Sequence, residues 1–384
     1  MRLREHMGFL ARQAQLLCIL SICGSALATP PMVGPVIDVH VHTAPQHYQL
    51  LLDILASTGV TRFVNLSGGQ PGRGLDEAIE GAKPYQGRVI VCVNVAWREA
   101  ASPNFGRRQA EMLARAKRLG ARCLKIPKAL GLYIPDSRKP GALLAIDDPI
   151  MDPIWRAAGQ HNLPVFIHTA DPKAFFEPMG PDNERMAELG VHPGWSFADA
   201  KFPRRQALLD ARNRVIERHP KTRFIGVHFA NDPETPASVS RLLDRLPNLY
   251  VDIAARLPEL GRHPPRDMRR LFNRHQDRIM FGTDLGFSQT GIMLGSVGND
   301  RPRLIDIFLF YAVHFQWFET SDRQMQHPTP IQGNWRIDAI GLSPSVLKKI
   351  YSRNALKLLW GESQSDIRDI HAVEEASGMP YFFQ

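Results

Sequence analysis

Eight short apolar runs recur along the chain, at 36–42, 62–67, 89–95, 122–126, 164–168, 223–228, 249–254 and 278–284. Most are rich in β-branched residues and end in polar or small ones, a pattern that predicts strands. The segments between them carry apolar positions at helical spacing, most clearly at 50–57, 107–119, 149–160, 205–218 and 236–246. Strand–helix alternation implies a parallel sheet. Eight such units over about 250 residues fit a closed (β/α)8 (TIM) barrel of the α/β class better than an open doubly wound sheet. After the eighth run, residues 286–338 form a long, less regular insertion holding Phe308, Phe310, Tyr311, Phe315, Trp317 and Phe318, which is expected to serve as a lid or as an oligomer contact such as a homodimer interface. Ser343-Pro344 then opens a closing helix that runs to about Trp360, by a cap followed by a first-turn proline. A polar tail, 363–384, ends in Tyr381-Phe382-Phe383, a group suited to docking on the barrel or on a partner.

A barrel of this kind gathers its active site at the C-terminal ends of its strands, and chemistry-bearing residues fall there: His42, Lys125, His168, His228 and Asp284 close or nearly close their runs. In the first run, Ile37-Asp38-Val39-His40-Val41-His42, strict alternation puts Asp38, His40 and His42 on one face. Two imidazoles on one face can share a metal ion, and a catalytic zinc needs about three protein ligands with one position left open. His40, His42, His168 and Asp284 supply imidazoles and a carboxylate of the types zinc accepts. The ion would lower the pKa of a bound water towards ~7. His228 is then the natural general acid/base, and Asp284 can both touch the ion and orient the nucleophile. Asp38 lies one step deeper and is expected to act behind the ligands rather than as one. Asp252 either lines the pocket or completes a strand-seven hydrogen bond.

The motifs 37–42, Phe166-Ile167-His168-Thr169, Gly226-Val227-His228-Phe229, Phe281-Gly282-Thr283-Asp284 and 351–359 together resemble the amidohydrolase superfamily, and within it the amidohydrolase-related branch that includes aminocarboxymuconate-semialdehyde decarboxylase and related aromatic-acid decarboxylases. The resemblance covers roughly 36–360. It implies one divalent metal, zinc or else manganese, held by His40, His42, His168 and Asp284, with His228 acting beside it. In binuclear members a carboxylated strand-four lysine bridges two ions, so Lys125 offers a binuclear alternative or, equally, a partner for a substrate anion. The resulting expectation is a metal-dependent hydrolase in which activated hydroxide attacks an amide, lactone or ester carbonyl of a small substrate. The rivals are a non-oxidative decarboxylase of an aromatic or unsaturated acid and a metal-holding binding protein without turnover.

Composition and the remaining motifs refine this picture. Arg2, Arg4 and Arg12, the short apolar run 16–23 and Ala26-Leu27-Ala28 form an export signal over 1–28. The run is too short for a membrane anchor, so the catalytic domain is expected over 29–362 of a periplasmic or secreted protein. The formal net charge is +9, yet the nearest basic cluster, 262–278, is broken by Asp267 and Asp277 and reads as a solvated face, not a nucleic-acid site. Cys92 and Cys123 lack metal-site spacing and are expected as buried free thiols on neighbouring strands, because a strand-to-strand bridge demands narrow geometry. The glycine-rich stretch 67–74 lacks the lysine and hydroxyl of a phosphate loop and is expected to be a mobile βα loop. The loop 170–195, with Trp195, Lys128, Tyr133 and Arg256, outlines an apolar rim with a few cations, suited to an anionic or aromatic small molecule.

Overall fold

The computed structural model describes residues 31–363; the export signal expected at 1–28 and all but the first residue of the tail lie outside the described residues. Eight parallel strands follow one another as neighbours in chain order: β1 (Val36–Thr43), β2 (Val60–Asn65), β3 (Val89–Asn94), β4 (Cys123–Ile126), β5 (Val165–Ile167), β6 (Phe224–Gly226), β7 (Leu249–Asp252) and β8 (Ile279–Met280). The ring closes where Val39 N–H donates to the Phe281 carbonyl (3.1 Å) and Asp284 N–H donates to the His40 carbonyl (2.9 Å). The chain then continues as β9 (Leu285–Ser288), parallel to the end of β1, and folds back as β10 (Gly291–Leu294). The architecture is the α/β (β/α)8 barrel expected from the alternation of runs.

The outer layer comprises α1 (Tyr48–Ala56), α2 (Leu75–Ala82), α3 (Phe105–Leu119), α4 (Asp152–Gln160), α5 (Arg205–Arg218), α6 (Pro236–Arg245), α7 (Pro265–Arg274) and α8 (Leu304–Glu319). Helix α7 lies inside the basic stretch 262–278, burying Met268, Leu271 and Phe272 and turning Arg266, Arg270 and Arg274 outward, as an amphipathic surface helix does. The insertion after β8 departs from expectation. Its aromatics belong to α8, and Phe308, Phe310, Tyr311, Phe315, Trp317 and Phe318 are all buried. Phe281 meets Phe315 and Phe318 at ring separations of 5.6 and 6.3 Å. These side chains are therefore part of the core.

Two apolar layers result, one between strands and helices and one inside the barrel. The closing helix α9 (Pro344–Lys348) passes into two π-helical stretches, Lys349–Arg353 and Leu356–Trp360. Leu356, Leu358 and Leu359 from the second stretch pack with Ile37, Ile90 and Met280 of the interior layer. They plug the barrel at the end remote from the strand C-termini, which leaves the other end for chemistry.

Cys92 and Cys123 form a disulfide, contrary to the free thiols expected. They are direct register partners across β3 and β4, with Cα atoms 4.4 Å apart, and both belong to the interior layer. The narrow geometry a bridge demands is thus supplied by the strand pairing itself. The bond closes a loop of 31 residues, for which loop-closure entropy gives about 3–4 kcal/mol. A Cys92→Ser/Cys123→Ser protein is expected to lose stability of that order in denaturant titrations; an unchanged midpoint would show that the bridge contributes nothing.

Candidate metal centre

Strand β1 carries two of the site's histidines, but strict alternation does not hold along it. Its register with β2 shifts between Asp38 and Val41. Ile37 and Val39 pack in the interior layer, and the bulge then turns His40 inward directly after Val39. Bulges of this kind re-aim side chains beside active sites. Asp38 therefore does not share the histidines' face. Its carboxylate accepts hydrogen bonds from Tyr311 Oη on α8 (2.6 Å), Thr283 Oγ1 (2.5 Å) and the N–H groups of His40 and Thr283. Burial pushes its carboxyl up to about 6 against the lowering effect of those donors. It ties α8 to the strands that carry the site.

Three donor atoms converge at the barrel mouth. Asp284 Oδ1 lies 3.5 Å from His40 Nε2 and 3.4 Å from His42 Nε2. Each ring is held through its other nitrogen: His40 Nδ1 pairs with Asp252 Oδ2 at 2.9 Å, and His42 Nδ1 with Ser67 Oγ at 2.7 Å. This is the arrangement of metal-binding histidines, with one nitrogen committed to a partner that fixes ring and tautomer and the other turned toward the remaining donors. Burial lowers the His40 pKa, and the nearby Lys125 charge lowers it further, which keeps the ring in the neutral form that ligation needs. Burial pushes the Asp284 carboxyl up, but His40, His42 and Lys125 outweigh it and hold the group below its ordinary value. Two imidazole nitrogens and a carboxylate oxygen, mutually within 4.8 Å, fit a divalent ion of the zinc type.

Lys125, on β4, comes within 3.3 Å of His40 Nε2. As an ammonium it would oppose a cation there. Burial brings its pKa down to about 8, against the opposing pull of Asp284 and Asp252, so its charge is the easier to lose.

His168 and His228 stand on the other side of the cluster. Their ring centroids are 4.4 Å apart, and His228 is 4.8 Å from His40. His168 does not join the three-donor group: its buried Nε2 lies 3.4 Å from Asp171 Oδ1 and makes no hydrogen bond. Burial brings its pKa down to about 4, with the Asp171 contact opposing. His228 is displaced well below 6.5, first by burial and then by the charges of His168 and Arg256. Its Nδ1 meets the Ala254 carbonyl at 2.8 Å. Because a carbonyl only accepts, Nδ1 carries the proton and Nε2 the lone pair.

The backbone under His228 is unusual. β6 ends at Gly226, and His228, Phe229, Ala230 and Asn231 then have φ of 56, 56, 53 and 52°. Four consecutive left-handed residues with side chains cost roughly 1–2 kcal/mol apiece, and strain of this kind concentrates at functional sites.

At the rim, Lys128 Nζ pairs with Asp171 Oδ2 at 2.5 Å and lies 4.9 Å from the Trp195 ring centroid, so its charge is already engaged. Trp195 stacks on His192 at 4.0 Å. Tyr133 packs edge-on against Phe197 at 5.7 Å. Arg256 follows β7, is buried, and leaves its Nε without a hydrogen-bond partner. Three site residues escaped the sequence reading: Asp171, Ser67, and Asp252 in its double role. Asp171 follows His168 by three positions and Ser67 ends the second run, so a polar residue at or just beyond each strand end was the available signal.

Asp252 Oδ1 also accepts from His228 N–H (2.8 Å) and Ala254 N–H (3.2 Å). Replacing it by Asn is expected to weaken metal binding about 10–100-fold. Competition with a chelating dye measures this, and unchanged affinity would show that Asp252 does not hold His40 for an ion.

No curated protein matches the sequence. Solved structures share the fold at low identity. An uncharacterised TIM-barrel protein from Bordetella bronchiseptica has 15% identity and a TM-score of 0.52, covering 85% of this chain and 98% of that one. A 2,6-dihydroxybenzoate decarboxylase in complex with 2,6-dihydroxybenzoate has 14% identity and a TM-score of 0.50, covering 86% and 100%. A structure described as a putative amidohydrolase from Staphylococcus aureus has 13% identity and a TM-score of 0.51, covering 85% and 99%. The family model described as Amidohydrolase spans residues 37–360, taking in every strand residue of the site, and the chain belongs to the amidohydrolase family.

Proposed function

We propose that this protein is an exported metal-dependent hydrolase acting on a carbonyl group, an amide, lactone or ester, of a small anionic substrate. The observation that carries the reading is the convergence of His40 Nε2, His42 Nε2 and Asp284 Oδ1 beside a buried, neutral His228. His40, His42 and Asp284 would hold one divalent ion, zinc or manganese, and His168, whose buried Nε2 makes no hydrogen bond, is the candidate fourth donor. A bound ion supplies Lewis acidity, lowering the pKa of water and stabilising an oxyanion. The chain supplies the rest. Asp284, ionised, orients the attacking water by accepting its hydrogen bond. His228 Nε2 takes the proton and returns it to the leaving group, while Nδ1–H stays on the Ala254 carbonyl and keeps the ring in place.

The disulfide supports export, since such bonds persist in oxidising compartments and are rare in the cytosol. Among the described residues, no helix is long and apolar enough to cross a membrane. Arg256 supports an anionic substrate, because a buried guanidinium with an unpartnered Nε is suited to a carboxylate. Lys125 favours a second reading. Non-oxidative decarboxylation needs a proton donor to carbon, and an amine with a pKa of about 8 is protonated at neutral pH. Release of carbon dioxide from aromatic acids, abolished by Lys125→Met, would establish that rival and overturn the hydrolytic reading.

Purified protein is expected to hold about one equivalent of metal per chain, lost in His42→Ala and retained in His228→Ala. The His228→Ala protein is expected to hydrolyse its substrate about 100-fold more slowly or worse. Full activity in that variant would remove His228 from the mechanism. Two equivalents of metal would instead favour the binuclear site bridged by carboxylated Lys125. Arg256→Gln is expected to raise KM for a carboxylated substrate about tenfold and to leave KM for its neutral analogue unchanged; equal effects on both would contradict anion recognition.

A further inference from the structure

The left-handed turn at 228–231 poses a question that the site itself does not answer, which is what holds it. Residues with a Cβ avoid this conformation and adopt it singly, not in runs. Four in succession persist only where the surroundings over-determine them. Part of the support is local: Asn231 N–H donates to the Val227 and His228 carbonyls at 3.1 and 3.0 Å, and Asn231 Oδ1 accepts from Thr169 N–H at 3.1 Å. Gly226 makes room for the turn, because a Cβ there would sit 2.9 Å from Ala230 Cβ and 3.0 Å from Ala230 Cα.

The remaining support comes from α5. Arg205 and Arg212, seven residues apart and so on one face of that helix, each reach a carbonyl of the turn. Arg212 donates from Nη1 to the Ala230 carbonyl, and Arg205 from Nη2 to the Asn231 carbonyl at 2.5 Å. Arg205 also pairs with Asp232 and Glu234. Arg212 differs. It is almost completely buried and forms no ion pair with a carboxylate among the described residues; its other hydrogen bonds go to the Asn213 side-chain oxygen. Arginine is rarely buried without a charged partner, because its desolvation is then uncompensated. Its place in the fold is explained by what it grips.

We propose that Arg212 is a positioning residue: through the Ala230 carbonyl it holds the left-handed turn in the one conformation that brings the His228 ring between His40 and His168. The role rests on His228 as the acid/base of the proposed hydrolysis, but the test reads the position of the ring and not turnover. A failure of the hydrolytic reading would remove the chemical purpose of the position and leave the positioning itself to be read by the test.

The full-length protein is labelled with ring-13C histidine, the His228 Cε1–H signal is assigned by its loss in His228→Gln, and His314, buried on α8, serves as an internal reference. In Arg212→Met the His228 signal is expected to move or to split, with a second component of roughly a tenth of the intensity or more, while His314 stays in place. Adding Ala230→Gly is expected to restore a single signal at the wild-type position, since glycine adopts the left-handed conformation without penalty. If Arg212→Met does not fold, the double variant is expected to fold and to show that signal. An unmoved His228 signal in Arg212→Met overturns the proposal. So does an equal shift of His314, or a double variant no better than the single one, because each assigns Arg212 to general packing.

Discussion

Both oxygens of one buried carboxylate, Asp252 at the end of β7, hold the rest of the site in register. Oδ2 fixes the His40 ring, and Oδ1 fixes the backbone from which His228 departs as well as the N–H of Ala254. The Ala254 carbonyl in turn holds the His228 ring. One carboxylate thus sets the relation between a candidate ligand on β1 and a candidate proton carrier after β6. A barrel is suited to this because its strand ends converge from all sides on one axis. The cost of burying this carboxylate is met by two backbone N–H hydrogen bonds and an imidazole partner.

Around that carboxylate the electrostatics divide the work. Burial depresses the imidazoles of His40, His168 and His228, and so keeps them in the form that can donate a lone pair. Asp284, surrounded by His40, His42 and Lys125, stays ionised in spite of its burial. The cluster therefore combines neutral bases with a fixed negative charge, a donor set that attracts a divalent cation. Lys125 is the exception, a buried amine beside His40 whose pKa is brought down to about 8 by burial.

Much of this was legible in the sequence because a parallel barrel strand writes itself twice, once in its β-branched run and once in the polar residue that ends it. Leu50–Ser57 against the observed Tyr48–Ala56, and the agreement at Arg205–Arg218, show how far apolar spacing carries. It fails where backbone geometry breaks the period. The bulge in β1 reverses the face of Asp38, and the left-handed turn takes His228 off the end of β6. Neither event leaves a mark in hydrophobicity, although Gly226 four residues before Ala230 hints at the second. The disulfide is not legible in the sequence because it depends on the register of β3 against β4, which is a property of strand pairing. Helix α8 reads as an irregular insertion in the sequence because it is apolar nearly all round, and its burial against Phe281 and Tyr351 explains that composition.

His40, His42 and Asp284 form a donor set suited to one divalent ion. The most direct test of this assignment is anomalous X-ray scattering at the zinc and manganese absorption edges from crystals of the protein purified with its native metal. One peak is expected between His40 Nε2, His42 Nε2 and Asp284 Oδ1, with Lys125 Nζ displaced from its 3.3 Å approach to His40. No peak there after reconstitution with either metal, and Lys125 still against His40, would contradict the assignment.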